Sequence, residues 1–365
     1  MKVMTLVGTR PEIIRLSRII DRLDHEADHT VVLTGQNPDP LLSTVFIDEL
    51  GLRAPDALLD VDVTSVASVI AGVLTGVERL IDADRPDAFL VLGDTNSCLG
   101  AVMARRMGVP VFHHEAGNRC FDPRVPEEIN RRIIDHTADY NLCYTEHAHR
   151  NLIAEGLPGR DTVVVGSPLL EVLDHYRPRI ERSSALADLG LTSGGYLLAS
   201  VHRAENVDDR TALGRILDAL MACAREFDQR VLLSTHPRLR DRMRRLGYDP
   251  ADYSAIDFID PFGYFDYMKL QMNATCVISD SGSISEEAAM ATFPAVTIRD
   301  AMERPEALET GSIVLTGLNP TSVVAGVVAM VDRHRKGDVP PSPEWYRIGD
   351  CSRRTVDFLT ARCER

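Results

Sequence analysis

The chain is poor in aromatic residues and in lysine. Phe, Trp and Tyr together make up 5% of it, with a single Trp, and Lys occurs only at positions 2, 269 and 336. No excess of positive charge exists either: Lys+Arg 40 against Asp+Glu 54 gives −14. A basic nucleic-acid footprint is therefore not expected, although a local Arg cluster can still meet an anion. No run approaches the roughly 18 apolar residues of a membrane span, and MKVMTLVGTR is too short an apolar start for a signal peptide. The seven cysteines are scattered, odd in number and without a C-x-x-C pair. That favours free thiols, a reducing compartment and a cytoplasmic location over a disulfide framework. What the chain has is length, 365 residues at 44% apolar, enough for two cores without staples.

Short Val/Ile/Leu-rich runs alternate with amphipathic stretches almost to the end, the signature of parallel βαβ units. In the first half the strands are expected at 3–7, 30–34, 88–92, 109–113, 140–144 and 162–165. A second series is expected at 196–201, 230–234, 255–259, 275–279, 294–298 and 312–315. Between the two series, 166–195 contains Pro, Gly and Ser and shows no strand, which places an interdomain linker there. The fold expected is α/β: two Rossmann-like doubly wound domains, 1–170 and 171–345, an interdomain cleft, and a final helix at 346–365 packing back. In such sheets ligands bind beyond the carboxyl ends of the strands, where most of the unusual polar residues fall.

Each polar motif has a bland and a sharp reading. In VGTRPEII (7–14) Pro11 opens a helix whose N-terminus, with Arg10, suits an anion; the alternative is an ordinary βα turn with a surface Arg. In LGDTNS (92–97) Asp94 either caps the next helix or presents a carboxylate to a ligand. FHHEAGNRCFDPRVPEEINRRIIDH (112–136) places Glu115 after a strand and Glu127 and Glu128 at a helix start, where negative charge is favoured anyway. HHE is not a zincin motif and no three-ligand spacing appears, so no metal is expected. SVHRAEN (200–206) and STHPR (234–238) carry His and Arg at strand ends, His202 and Arg203 in the first. In ISDSGSISEEAA (278–289) the turn Ser281–Gly282–Ser283 offers backbone amides to a phosphate, with Glu287 a turn inside the helix; a Ser283/Glu286 capping box is the local alternative. RDAMERPEA (299–307) adds Arg304 as a further cation.

GTRPEII, TGQN (34–37), GDTNS, HEAGNR, PEEINR, SVHRAEN, DSGSISEE and ERPEA occur in the order and close to the spacing of the non-hydrolysing UDP-N-acetylglucosamine 2-epimerase family, which the chain resembles over nearly its whole length. The resemblance implies a glycosyltransferase-B type fold, a UDP-sugar substrate, no cofactor and a homodimer. It implies that Asp94, Glu115, Glu127 and His202 form the catalytic group. Arg10, Ser281, Gly282 and Ser283 would hold the diphosphate with support from Arg304, Glu287 would meet the ribose, and Tyr267 in PFGYFDY (261–267) the uracil. Arg15 stands where the family usually has Lys, Ser283 and Ser285 replace the usual Gly and Gln, and Asn37 replaces the His of substrate-regulated members. These departures are similar to the branch that makes UDP-N-acetyl-L-fucosamine from a 6-deoxy-talose precursor. A hydrolysing epimerase, a glycosyltransferase of the same fold and a UDP-sugar sensor without turnover are the competing readings. The chemistry implied expels UDP to a 2-acetamidoglycal and adds it back after protonation on the other face of C2. Clustered carboxylates should then carry at least one pKa upward.

Overall fold

Thirteen short strands form two sheets in the computed structural model, which describes residues 1–36 and 44–363; Asn37 therefore lies outside the described residues. The first sheet contains β1 (Lys2–Val7), β2 (Asp28–Leu33), β3 (Ala57–Leu58), β4 (Ala88–Leu92), β5 (Val111–Ala116), β6 (Tyr140–Cys143) and β7 (Thr162–Val164), in spatial order β3-β2-β1-β4-β5-β6-β7. The second contains β8 (Tyr196–Ser200), β9 (Arg230–Ser234), β10 (Ile256–Ile259), β11 (Val277–Ser279), β12 (Ala295–Thr297) and β13 (Val314–Leu315), in order β10-β9-β8-β11-β12-β13. Every pairing is parallel. The chain divides into two units, Met1–His175 with the returning segment from Glu344, and Tyr176–Pro343.

Parallel sheets are covered on both faces, so their strands are apolar throughout. Ala88–Leu92 is buried at every position, and so is most of Val3–Val7. Helices close the faces through one apolar stripe. In Arg10–Glu26, Ile13, Leu16, Ile20 and Leu23 recur at three- and four-residue spacing and all are buried. Each such side chain contributes about 1.5–3 kcal/mol when withdrawn from water. In the first unit Val73, Val77 and Ile81 of helix Val66–Ala83 pack on Met4, Leu6, Phe89 and Val91. In the second, Ile216 and Leu220 of helix Arg210–Phe227 and Val327 of Pro320–Arg335 pack with Leu197, Ala199, Val231 and Ile278.

Three departures from the sequence reading have local causes. The segment read as a linker contains the helix Leu169–Glu181, with Pro178 inside it; apolar Val172, Leu173, Tyr176 and Ile180 give it a buried face that outweighs the proline. The two-residue strand β3 was too short to leave a period-2 signal. Glu115 does not follow its strand but interrupts it: the β5–β6 register shifts between His114 and Ala116. The C-terminal helix Cys351–Cys363 packs on the first unit, where Arg22 Nε donates to Ser352 Oγ at 3.2 Å and Glu171 accepts from the Ser352 amide at 2.8 Å. All seven cysteines are free thiols. Among the described residues no helix is long and apolar enough to cross a membrane, and no group of three or more His, Cys, Asp or Glu is arranged to hold a metal.

Candidate active site

In a doubly wound sheet the loops diverge where the strand order reverses, leaving a crevice at the carboxyl ends of the two strands concerned. That point lies between β1 and β4 in the first unit and between β8 and β11 in the second. The sequence candidates fall into two groups, one in each unit. Arg10, Arg15, Asp94, Glu115 and Glu127 are in the first; His202, Tyr267, Ser281, Gly282, Ser283, Glu287 and Arg304 are in the second.

In the first unit the turn after β1 packs directly against the loop after β4. A Cβ on Gly8 would lie 2.0 Å from Ser97 Oγ, so only glycine fits there. Ser97 Oγ meets Thr34 Oγ1 at 2.7 Å, and Gln36 Oε1 accepts from both the Ser97 amide (3.0 Å) and its hydroxyl (2.6 Å). The motifs GTRPE, TGQ and GDTNS are thereby one hydrogen-bonded body. Asp94 does not cap the helix that follows. Its carboxylate pairs with Arg131 at 2.8 Å, and Asn130 donates to the Asp94 carbonyl at 3.0 Å. Arg131 is buried and also meets Glu128 at 3.2 Å. The helix Pro126–Thr137 thus fixes Asp94, while Glu127 sits half-buried in its first turn.

Glu115 is the strained member. Its φ of 69° is the left-handed region, which costs a non-glycine residue about 1–3 kcal/mol and persists where surrounding structure imposes it. The bulge turns its carboxylate toward Arg15, 3.8 Å from Nη1, and toward Gly93, whose added Cβ would lie 3.8 Å from Glu115 Oε2. Asn118 Nδ2 donates to Oε1 at 3.3 Å. Asp94, on the loop after β4, and Glu115, in the bulge at the end of the neighbouring β5, are therefore each beside an arginine. Arg10 begins its helix and lies over the Phe46 ring, 5.4 Å from the centroid. His113 and His114 do not form a pair. His113 bonds Asp135 and the Gly93 carbonyl, both at 2.8 Å, and His114 meets Thr355 Oγ1 at 3.1 Å. Burial holds His114 down at about 3, so it is neutral.

In the second unit the fully buried Asp280 organises the crevice. Its carboxylate accepts from the His202 amide (3.1 Å), the Arg203 amide (3.0 Å) and Asn206 Nδ2 (3.0 Å), and lies 3.2 Å from His202 Nδ1. With Nδ1 facing a carboxylate, His202 presents Nε2 outward. The capping-box reading of Ser283 and Glu286 fails: Ser283 makes no side-chain cap, and Glu286 instead receives Arg304 Nε at 2.8 Å. Arg304 Nη1 also meets Glu303 at 3.0 Å, and an added Cβ on Gly282 would lie 2.6 Å from Glu303 Oε1 and 3.1 Å from Arg304 Nη1. Arg304 thus braces the Ser281–Ser283 turn from beneath. Arg203, with Nε on the Asp280 carbonyl at 2.8 Å, approaches the same glycine at 3.7 Å and is partly exposed. Glu287 Oε2 accepts from Gln271 Nε2 at 2.8 Å. Gln271 lies one turn along helix Tyr264–Asn273 from the half-buried Tyr267, so Glu287 is tied to the helix that carries Tyr267.

Sequence reasoning missed Glu12, Arg131 and Asp280 as site residues. Glu12 is nearly enclosed, and burial pushes its carboxyl up to about 7 although Gly8, Thr9 and Thr95 all donate to it. The upward shift is on Glu12, which is not among the clustered carboxylates for which one was expected. Its signal was the spacing Thr9-x-x-Glu12, which reads as a helix start and conceals the long-range contact.

Comparison with known proteins is specific. The UDP-N-acetylglucosamine 2-epimerase family matches residues 21–360. The UDP-N-acetylglucosamine 2-epimerase structure from Rickettsia bellii is 40% identical, covers 100% of this chain and 97% of that chain, and superposes with a TM-score of 0.91. The Methanocaldococcus jannaschii UDP-GlcNAc 2-epimerase, solved with UDP-GlcNAc and UDP, is 32% identical at a TM-score of 0.93, covering 99% of this chain and 100% of that one. The Pseudomonas aeruginosa UDP-2,3-diacetamido-2,3-dideoxy-D-glucuronate 2-epimerase is 33% identical over 98% of this chain and 99% of its own length. These likenesses define a class, sugar-nucleotide isomerases on a glycosyltransferase-B type α/β fold. The chain belongs to the UDP-N-acetylglucosamine 2-epimerase family.

Proposed function

We propose that this chain interconverts UDP-N-acetylglucosamine and UDP-N-acetylmannosamine by eliminating UDP and adding it back. The C2 proton of an N-acetylhexosamine is not acidic enough to be removed directly. Its loss becomes feasible as the C1–O bond to UDP breaks and positive charge develops at C1. The C2 proton passes to a carboxylate, the bonding pair forms the C1–C2 alkene of a 2-acetamidoglycal, and UDP leaves with the pair from the C1–O bond. Return of a proton to the other face of C2 and of UDP to C1 completes the epimerisation. Two faces of one carbon need two proton-transfer groups, each worth about 10²–10⁴-fold.

The observation that carries this reading is that Asp94, held by Arg131 on the loop after β4, and Glu115, displaced toward Arg15 and Gly93 by the strained bulge at the end of the neighbouring β5, come from adjacent strands of the first sheet. Proton transfer belongs to Asp94, Glu115 and Glu127. His202, oriented by Asp280, serves the departing diphosphate oxygen. The Ser281–Gly282–Ser283 turn, whose Ser281 and Ser283 amides donate to Ser279 Oγ and Ser281 Oγ, is assigned with Arg203 and Arg304 to the diphosphate, the arginines supplying the positive charge that stabilises it. Glu287 and Tyr267 are assigned to the ribose and the uracil, and Arg10 to the anion at its helix start. The exposed Leu58, Val63 and Val66 of the first unit support a homodimer, and a cytoplasmic location accords with seven free thiols.

Incubation of the protein with UDP-N-acetylglucosamine in D₂O tests the reading. The expected result is the C2 epimer with deuterium at C2. UDP with free sugar as the main product would mark a hydrolase instead, and retention of the C2 proton would reject the proton-transfer roles. Because the relatives' names include more than one sugar, the 6-deoxy and 2,3-diacetamido substrates belong in the same assay.

A further inference from the structure

We propose that Glu12 is a positioning residue for this reaction, its carboxyl group clasping the turn after β1 to the loop after β4 and so setting Arg10 in register with Asp94. This rests on the proposed function for the roles of Arg10 and Asp94; the clasp itself is a matter of geometry. Glu12 Oε2 accepts from the Gly8 amide at 2.5 Å. Oε1 accepts from Thr9 Oγ1 at 3.0 Å on its own turn and from Thr95 Oγ1 at 2.8 Å across the crevice. Thr95 directly follows Asp94, and Gly8 and Thr9 directly precede Arg10. One side chain therefore ties together the backbone on either side of two candidate site residues that are 84 positions apart in sequence. All the donors are neutral, and no cation is within ion-pair distance of Glu12 among the contacts described. A buried carboxyl group without a counter-ion is costly to keep unless its hydrogen bonds are what it is kept for. Burial raises its pKa to about 7, in keeping with a group retained for acceptor geometry rather than for charge.

This predicts an unusual tolerance. A glutamine fits the same space: its carbonyl takes the Gly8 N–H, its amide donates to Thr9 and Thr95, and both hydroxyls rotate to accept. Alanine leaves the Gly8 amide buried and the loops untied. Wild type, Glu12→Gln, Glu12→Ala and Thr95→Val are compared for kcat and KM with UDP-N-acetylglucosamine and for backbone hydrogen exchange over residues 8–10 and 94–97. Glu12→Gln is expected to keep most of the wild-type kcat, whereas Glu12→Ala loses about 10²-fold in kcat, more than any change in KM, because the reacting groups are misplaced. Thr95→Val is expected to lose about tenfold, the effect of one hydrogen bond. Exchange should rise in both segments for Glu12→Ala and stay low for Glu12→Gln. A glutamine variant as impaired as alanine would overturn the proposal, since it would make the proton or the charge the essential feature. So would an alanine variant with wild-type kcat. If Glu12→Ala fails to fold, Thr95→Val decides, and an unchanged kcat contradicts the clasp. If the wild type does not turn over the sugar nucleotide, the proposed function fails separately; exchange that rises in only one segment, or in neither, would still overturn the clasp.

Discussion

The two units solve the same geometric problem with opposite connections. Each has a crevice where its first strand lies beside its fourth, β1 beside β4 and β8 beside β11, and each joins the two loops there through one buried carboxyl group. In the first unit the group is Glu12, on the turn after the first strand, reaching forward to Thr95. In the second it is Asp280, after the fourth strand, reaching back to His202, Arg203 and Asn206. The donors differ too. Glu12 meets the Gly8 and Thr9 backbone N–H groups and two hydroxyls, all neutral, whereas Asp280 is met by two backbone N–H groups, an amide and an imidazole nitrogen. In the first unit arginines hold other carboxylates, Asp94 by Arg131 and Glu115 by Arg15. The second unit's clasp aims a histidine, and its carboxylates Glu286 and Glu303 are engaged by arginine beneath a glycine turn. On the proposed function, a crevice for proton transfer and a crevice for an anion would thus share a frame and differ in which charged groups are placed around it.

The largest expected effect separates the two halves by chemistry. Asp94→Asn and Glu115→Gln should each reduce turnover by about 10²–10⁴-fold with UDP affinity, measured by calorimetry, little changed. A loss confined to affinity would erase the distinction between the units. Next, Asp280→Ala should destabilise the second unit by about 3 kcal/mol, because three N–H donors, one buried and two part-buried, lose their acceptor. Urea unfolding would read this, and a change below 1 kcal/mol would show that the clasp is dispensable there.

A third prediction concerns pH. Glu12 binds its proton more tightly in the folded chain, about 7 against an ordinary 4.5, so the folded state holds more protons between those values and stability falls as pH rises through them. Cys98, which Glu12 faces, has its thiol pushed well up by burial and so stays neutral across this range. The fall should total roughly 3 kcal/mol, read as a decline in the urea midpoint from pH 4.5 to 7 that Glu12→Gln abolishes. An identical decline in the variant would assign it to another group. The smallest effect is at Ser285, whose buried hydroxyl has no partner among the described residues. Ser285→Ala should leave stability within about 0.5 kcal/mol or raise it slightly, in contrast to any truncation at Asp280.

The strand–helix alternation was readable because parallel sheets bury both faces and concentrate Val, Ile and Leu into short runs such as Ala88–Leu92. The positions of Asp94, His202 and Ser281, and of Glu115 in its bulge, were readable because they lie at the carboxyl ends of such runs. The partners that give those residues their orientation were not. Arg131 and Glu12 lie inside helix patterns that gave no sign of a role, and Asp280 reads only as the end of a strand. Each acts on a residue tens of positions away, and only strand order brings the pairs together. The bulge at Glu115 was hidden for a related reason, since a one-residue register shift against β6 leaves no mark in a strand's own composition.

The central claim, that UDP separates from the sugar and returns, is tested most directly by positional isotope exchange. UDP-N-acetylglucosamine carrying oxygen-18 in the bridge between C1 and the β-phosphorus is incubated with the protein and recovered. Migration of the label into the non-bridging β-phosphate positions, at a rate no slower than epimerisation, is the predicted result. Epimer formed with the label still wholly in the bridge would contradict the account.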